Sequence, residues 1–421
     1  MAISALPMRS TCHNPGSLST NQRALVNFDG MDTHAFAPFT FNTTPSVIFE
    51  PGAARRFGAL AGRKLGRVVL FVTDPGLRKL GLCDNAITSL EAEGATVTIF
   101  DAVEADPSRQ TLEKAVEAGR TAGATGLAGF GGGSSLDVAK LAALLIGSGE
   151  DLDTAWGVAQ AKGPRLPLAL VPTTAGTGSE VTPVSIITVG EEEKRGVSSP
   201  IILPDIAVLD AELTLGLPPA ITAATGIDAM VHAIEAYASR NANNNPLSRM
   251  LARQALQLLG ANIETAVLDG SNIEARGAML LGSMLAGQAF ANSPVAAVHA
   301  LAYPIGGTFH IPHGLSNALV LPHVLRFNAP DAAHLYAEIA ADAFPQLAAE
   351  DGVQGRCAAF IEELATLSRR VGLQPRLRDV GIGEEHLAKM ASDAMKQQRL
   401  LVNNPRDVNE ADALAIYRAA W

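Results

Sequence analysis

Asp228, His232, His299 and His313 are the residues of this chain whose types and spacing point most directly to chemistry. The first two lie in Thr225-Gly-Ile-Asp-Ala-Met-Val-His-Ala-Ile-Glu-Ala-Tyr237, a run with helical hydrophobic spacing. Residues four apart share one helix face, so the Asp228 carboxylate and the His232 imidazole point at a common spot. The other two lie in His299-Ala-Leu-Ala-Tyr-Pro-Ile-Gly-Gly-Thr-Phe-His-Ile-Pro-His-Gly314. One carboxylate with three imidazoles makes a mixed nitrogen and oxygen site suited to a divalent transition metal. A lone histidine is more often structural, and His310, His313 and His323 lie close together. Spacing alone leaves open which of them completes the set, and His310-Ile-Pro-His313 also reads as a ligand pair.

Two further runs suit a ligand that carries phosphate. Gly131, Gly132, Gly133, Ser134 and Ser135 open Gly131-Gly-Gly-Ser-Ser-Leu-Asp-Val-Ala-Lys140 between a strand and a helix. Glycines there let backbone N–H groups approach an anion, and the positive end of the helix favours its charge. The run is neither the G-x-G-x-x-G fingerprint nor a P-loop; the competing reading is a tight turn. Pro172-Thr-Thr-Ala-Gly-Thr-Gly-Ser-Glu-Val181 is a hydroxyl-rich loop after another strand, either a binder of ribose, phosphate or nicotinamide or a cluster of helix caps. Asp74, just after the first apolar strand, is placed either to accept a ribose hydroxyl and favour NAD over NADP, or simply to turn the chain before Pro75.

The elements that must position these groups change in texture along the chain. From Phe39 to about Gly216 strand-like and helix-like runs alternate. Strands are expected at Val68–Val72, Thr96–Phe100, Gly126–Phe130, Leu168–Val171, Val184–Val189 and Ile206–Leu209, with helices near Leu77–Glu93 and Thr111–Ala122. Such alternation implies an open parallel α/β sheet with right-handed crossovers. After Pro218-Pro219 the periodicity is helical, at Ala220–Ala238, Leu247–Leu268, Ile273–Ala291 and Gln354–Val371. The fold class is therefore an α/β dinucleotide-binding domain at 36–217 followed by an all-α domain at 218–421. Met1–Ala35, rich in Ser, Asn and Thr, is expected to be a disordered extension; a transit peptide, or a true start at Met31, are the other readings.

Composition narrows the function. A net charge of −10 argues against nucleic acid and anionic membrane as partners. No apolar run reaches the roughly 18–20 residues of a membrane helix. Cys12, Cys83 and Cys357 are scattered and in no metal-like spacing, which fits a reducing, cytoplasmic setting.

Taken together, Gly131–Asp137, Pro172–Glu180, Gly226–Tyr237 and Pro312-His-Gly-Leu-Ser-Asn-Ala318 resemble, in this order, the iron-containing (group III) alcohol dehydrogenases. The resemblance runs from Phe39 to about Pro330 and more loosely to the C-terminus. It implies the architecture shared with dehydroquinate synthase, with the active site in the cleft between an α/β and a helical domain. It implies metal ligands at Asp228, His232, His299 and His313, which resolves the choice against His310. It implies NAD at Asp74, Asp106, Gly131–Ser135, Asp137, Thr173, Thr174, Thr177 and Lys194, with Asp106 standing where many members have Asn. Fe²⁺ is the implied ion and Zn²⁺ the alternative, because intrinsic affinity favours zinc. Many members carry a second histidine four residues after the third ligand; here that position is Tyr303, so His310 or a water held by Tyr303 is the expected proton relay. The metal-free maleylacetate reductases are disfavoured because all four ligands are present.

The implied reaction is hydride transfer between a primary alcohol or diol and NAD, run either as alcohol dehydrogenase or as aldehyde reductase, by an expected homodimer. A hydroxyacid–oxoacid transhydrogenase and, more remotely, a dehydroquinate synthase-like lyase are the alternatives. Phe290, Val295 and Phe309 are expected to line the pocket because they neighbour the ligands.

Overall fold

Val68–Val72 is apolar on both faces, and the chain buries it on both. The computed structural model describes residues 37–190 and 193–421; the expectations for Met1–Ala35, including Met31 and Cys12, lie outside the described residues. Among the described residues nine strands are formed: β1 Ser46–Phe49, β2 Val68–Val72, β3 Thr96–Phe100, β4 Gly126–Gly131, β5 Gly157–Val158, β6 Leu168–Pro172, β7 Val184–Val189, β8 Glu193–Ser198 and β9 Ile206–Leu209. Helices α1 Arg63–Leu65, α2 Pro75–Lys79, α3 Asp84–Ala92, α4 Arg109–Ala122, α5 Gly133–Ser148 and α6 Leu152–Ala155 alternate with them. Then come only helices: α7 Pro219–Ala238, α8 Pro246–Leu268, α9 Ile273–Asn292, α10 Ala297–Phe309, α11 His313–Ala343, α12 Gly352–Arg370, α13 Leu387–Ala394, α14 Gln398–Leu401 and α15 Glu410–Ala420.

The main sheet is parallel, in the order β1-β9-β6-β4-β2-β3. Side chains alternate between its faces. Leu70, Val72, Leu127 and Leu168 join the core under α4 and α5, while Val69, Phe71, Ala128 and Phe130 join the core on the opposite face with Phe57 and Leu90. The chain leaves β2 toward β3 on one side and returns to β4 on the other. That reversal opens a crevice at the carboxyl ends of β2 and β4, where Asp74 and Gly131 sit.

Two expectations need correction. Val184–Val189 is a strand but not part of the parallel sheet; it pairs antiparallel with β8 in a separate sheet of order β5-β8-β7. Ser185 and Ile187 are buried while their neighbours are only partly so, the alternation of a half-covered antiparallel strand. Its partner Glu193-Lys-Arg-Gly-Val-Ser198 is too charged to read as a strand. The helix expected near Leu77–Glu93 is two helices, broken where Gly81 takes φ +70°.

The four helices expected after Pro218 form within two residues of their predicted ends. They pack with α10 and α11 around one large apolar core. Phe39–Trp421 forms a single compact unit.

Candidate active site

Asp228 and His232 stand one turn apart on α7, both buried. His299 is on α10, and α11 opens on His313. Gly314 lets these helices converge: a Cβ there would lie 2.2 Å from the Ala224 carbonyl oxygen of α7. Asp228 Oδ1 is 3.9 Å from His299 Nε2 and 3.7 Å from His313 Nε2. The ligand atoms of Asp228, His232 and His299 all lie within 4.8 Å of one another. The rings of His232 and His299 stack at 4.7 Å, and His299 and His313 lie 5.4 Å apart.

A supporting layer fixes which nitrogen faces the centre. His232 Nδ1 donates to the Gly176 carbonyl at 3.2 Å. His299 Nδ1 donates to Glu235 Oε2 at 2.6 Å, and the other Glu235 oxygen accepts the Val298 N–H at 2.7 Å. Asn317 Nδ2 donates to Asp228 Oδ1 at 2.6 Å and lies 3.3 Å from His313 Nε2. With Nδ1 committed, each of the first two rings turns the lone pair of Nε2 inward.

The residues fit a divalent metal. His299 Nε2 is buried without a hydrogen-bond partner, a state that costs about 1–3 kcal/mol unless an electron-pair acceptor meets it. Burial pushes the His232 imidazole down to about 3, so it is neutral near pH 7 with a lone pair to offer a metal. Burial alone would raise the Asp228 carboxyl, but the three imidazoles and Asn317 hold it below its ordinary value, ready as an anion. The His313 side chain is 42 % exposed, so the cluster opens to one side.

The carboxyl ends of the strands supply the second half of the site. Gly131 ends β4 at φ +151°, and Gly132 leads into the 16-residue helix α5. A Cβ on Gly133 would lie 2.9 Å from Thr177 Cγ2, so the two loops are in direct contact. Thr174 and Thr177 are partly open beside Gly132 and Gly133, while Ser135 and Thr173 are buried beneath them. Asp74 caps α2, with Oδ1 accepting from Leu77 N at 3.0 Å.

Asp137 turns into the fold. It accepts from Ser179 Oγ at 2.6 Å and from the Ile186 N–H at 2.8 Å, with Lys140 Nζ 3.5 Å away. It thereby ties α5 to the Thr177 loop and to β7. Lys194 on β8 pairs with Asp106, whose φ of +53° turns it toward the hairpin, and both charges act on His313. The structure thus gathers the four metal candidates on one side and the glycine and threonine loops on the other, joined by the His232–Gly176 bond, with Lys194 and Asp106 near His313.

Tyr303 lies one turn after His299 on α10, its ring 6.2 Å from that of His313. His310 is exposed, caps the end of α10 at φ +55°, and among the described residues makes no side-chain bond to the cluster. Phe290 stacks on His232 at 4.4 Å. Val295 and Phe309 pack against the helical core. Sequence reasoning missed Glu235 and Asn317. A signal existed for both: Glu235 continues the Asp228–His232 face at i+7, and Asn317 follows His313 at i+4.

Comparison with known proteins agrees with this geometry. Residues 44–211 match the family "Iron-containing alcohol dehydrogenase", and residues 222–421 match "Fe-containing alcohol dehydrogenase family, C-terminal". The chain belongs to the iron-containing alcohol dehydrogenases. It is 42 % identical over 386 residues to the long-chain-alcohol dehydrogenase 1 of Geobacillus thermodenitrificans, covering 89 % of this chain and 96 % of that protein. Its fold matches a crystal structure of 1,3-propanediol oxidoreductase with a TM-score of 0.87 and 35 % identity, over 91 % of this chain and all of that one. A sulfoacetaldehyde reductase from Bifidobacterium kashiwanohense, solved with NAD⁺, matches with a TM-score of 0.79 and 28 % identity, over 91 % of this chain and 98 % of that one. The protein is an alcohol and aldehyde oxidoreductase whose family cofactors are NAD and iron. Among the described residues no helix is long and apolar enough to cross a membrane.

Proposed function

We propose that Asp228, His232, His299 and His313 hold the iron, and that the enzyme interconverts a primary alcohol or diol and its aldehyde with NAD. The observation that carries this reading is His299: Nδ1 is locked to Glu235, and Nε2 is buried and unpartnered 3.9 Å from Asp228 Oδ1. When bound, the ion supplies Lewis-acid polarisation of the substrate oxygen, and NAD supplies the hydride acceptor.

The chain's own residues do the rest. Glu235, Gly176 and Asn317 hold the ligand set in register. The glycine run and the start of α5 offer backbone N–H groups and a positive helix end to the pyrophosphate. Thr174 and Thr177 offer hydroxyls beside it, and Lys194 carries a positive charge toward the metal side. Phe290 covers His232 and keeps water from that flank. Of the two groups expected to serve proton transfer, only Tyr303 borders the cluster. Its hydroxyl accepts from Arg399 at 3.1 Å, so its own proton is free to reach substrate or water.

The relatives' names span a long-chain alcohol, a diol and a sulfonated aldehyde. The substrate of this chain is therefore decided by its own pocket lining. We also assign it a homodimeric, cytoplasmic state.

The test is anaerobic NADH formation from a panel of primary alcohols and diols, using metal-stripped protein with Fe²⁺, Zn²⁺ or nothing restored. Metal-restored NADH formation supports the reading. Measurable NAD binding without NADH from any alcohol would shift the assignment to the transhydrogenase, which exchanges hydride between bound substrates without free NADH.

A further inference from the structure

The α10 face that carries His299 also carries Tyr303, and against Tyr303 lies a cation that neither the metal nor the cofactor reading uses. Arg399, on the short helix α14, donates from Nη2 to the Tyr303 hydroxyl at 3.1 Å, and its guanidinium stands 5.8 Å from the centre of the Tyr303 ring. The Tyr303 ring is in turn 6.2 Å from that of His313. On its other side the guanidinium meets bare backbone, since a Cβ placed on Gly196 of β8 would be 4.0 Å from Arg399 Nη2. Arg399 is exposed, and among the described residues it has no carboxylate within ion-pair distance. Most other arginines near acidic groups here are paired, as Arg165 is with Asp205 and Arg253 with Asp342.

We propose that Arg399, oriented by its bond to the Tyr303 hydroxyl, is the specificity determinant of the alcohol site, and that it selects substrates carrying an anionic group, carboxylate or sulfonate, at the end remote from the reacting carbon. The physical reason is that a guanidinium presents a planar set of N–H donors that fits such an anion with charge-assisted bonds. Tyr303 already occupies one edge of it and fixes its orientation, which leaves the remaining donors preorganised. The arginine stands beside Tyr303 and not among the ligands, so it contacts the far end of the substrate while the cluster holds the reacting end. This inference rests on the alcohol dehydrogenase reading.

The experiment measures kcat/KM with the iron-loaded enzyme and NAD for ω-hydroxycarboxylates of three to six carbons, for 2-hydroxyethanesulfonate, and for neutral diols of matched length. The wild type is expected to prefer the anionic member of at least one matched pair. Arg399→Leu should lower the anionic-to-neutral ratio by about 10- to 100-fold. The loss should fall on the KM for the alcohol and not on that for NAD. Arg399→Lys should recover part of the ratio, because it keeps the charge but not the fork. Which arm responds, carboxylate or sulfonate, identifies the anion. Turnover of neutral alcohols with no anionic preference would overturn the inference and leave the dehydrogenase reading intact. An Arg399→Leu effect confined to the KM for NAD would also overturn it, by making the residue a cofactor contact. Absence of turnover with every alcohol would overturn both.

Discussion

Glu235→Gln tests the logic of the proposed metal site without touching a candidate ligand. Glu235 accepts two hydrogen bonds in a buried setting, from His299 Nδ1 at 2.6 Å and from the Val298 N–H at 2.7 Å. Both partners are donors once His299 is the neutral tautomer that turns Nε2 inward. A carboxamide of the same shape has one accepting oxygen, so its NH₂ group must face one of these two N–H groups. Either the start of α10 loses its anchor or His299 loses the bond that sets its tautomer and basicity. A buried hydrogen bond to a charged acceptor is worth about 1.5–3 kcal/mol, which corresponds to about 10- to 150-fold in a binding constant. Loss of a carboxylate behind a ligating histidine typically costs 10–100-fold in metal affinity. Glu235→Gln should therefore weaken Fe²⁺ binding by about 10- to 100-fold in a chelator competition. Turnover should return substantially at saturating Fe²⁺ under anaerobic conditions. A folded variant whose affinity stays within about threefold of the wild type would refute the claim that Glu235 sets the ligand state of His299.

Further outcomes follow from the same geometry. Asp228→Ala removes the one anionic ligand and should abolish both stoichiometric iron and turnover, a fall of at least about 100-fold; retained activity in the metal-stripped variant would refute the metal mechanism. Gly133→Ala would place a Cβ 2.9 Å from Thr177 Cγ2 and should raise the KM for NAD about tenfold with bound iron unchanged, measured by initial rates and metal analysis. Burial pushes the Glu180 carboxyl up to about 7 from its ordinary 4.5, with Lys140 opposing, and its Oε1 has no hydrogen-bond partner. The folded protein thus holds this proton more tightly than the unfolded chain. The resulting cost to stability is absent below pH 4.5, grows to pH 7 and is constant above, reaching at most about 3 kcal/mol. Glu180→Gln should therefore melt higher than the wild type at pH 8, with the difference vanishing near pH 5; an equal difference at both would refute it.

What the sequence revealed of this molecule divides by the range of the interactions involved. Asp228 and His232 were legible because helical periodicity alone puts them on one face, and the buried strands β2, β4 and β6 because they are continuously apolar. The preference for His313 over His310 as a candidate ligand was not legible from spacing. Three residues of chain separate their placements: His310 ends α10 in the left-handed region, while His313 begins α11 beside Gly314, where only glycine can approach the Ala224 carbonyl. Pro304, Pro322 and Pro330 also hid the extent of α10 and α11, since proline reads as a breaker although these helices continue through it. The β7–β8 hairpin was misplaced for a related reason: its second strand is charged, carrying Glu193, Lys194 and Arg195, and no local apolar pattern marks it as a strand.

The same division explains where the site's chemistry and its selectivity reside. The groups proposed to hold metal and phosphate come from short runs, such as Asp228–His232 on one helix face and Gly131–Ser135 at one strand-to-helix turn. Glu235 lies seven residues from Asp228, close enough for the same periodicity to reach it. Arg399 is different, because 96 residues separate it from Tyr303 and nothing local ties the two together. It is brought there by α14 packing on α10, an accident of tertiary structure as far as the sequence is concerned. Groups that perform the reaction must keep fixed mutual geometry, so they concentrate on rigid elements where pattern is informative. A group that reads the far end of a substrate needs only to reach the cleft from some neighbouring element. Substrate preference should therefore change through positions like 399 while the Asp228, His232, His299 and His313 frame stays as it is. If Arg399 exchanges moved the iron affinity as strongly as the substrate ratio, that separation would not hold for this protein.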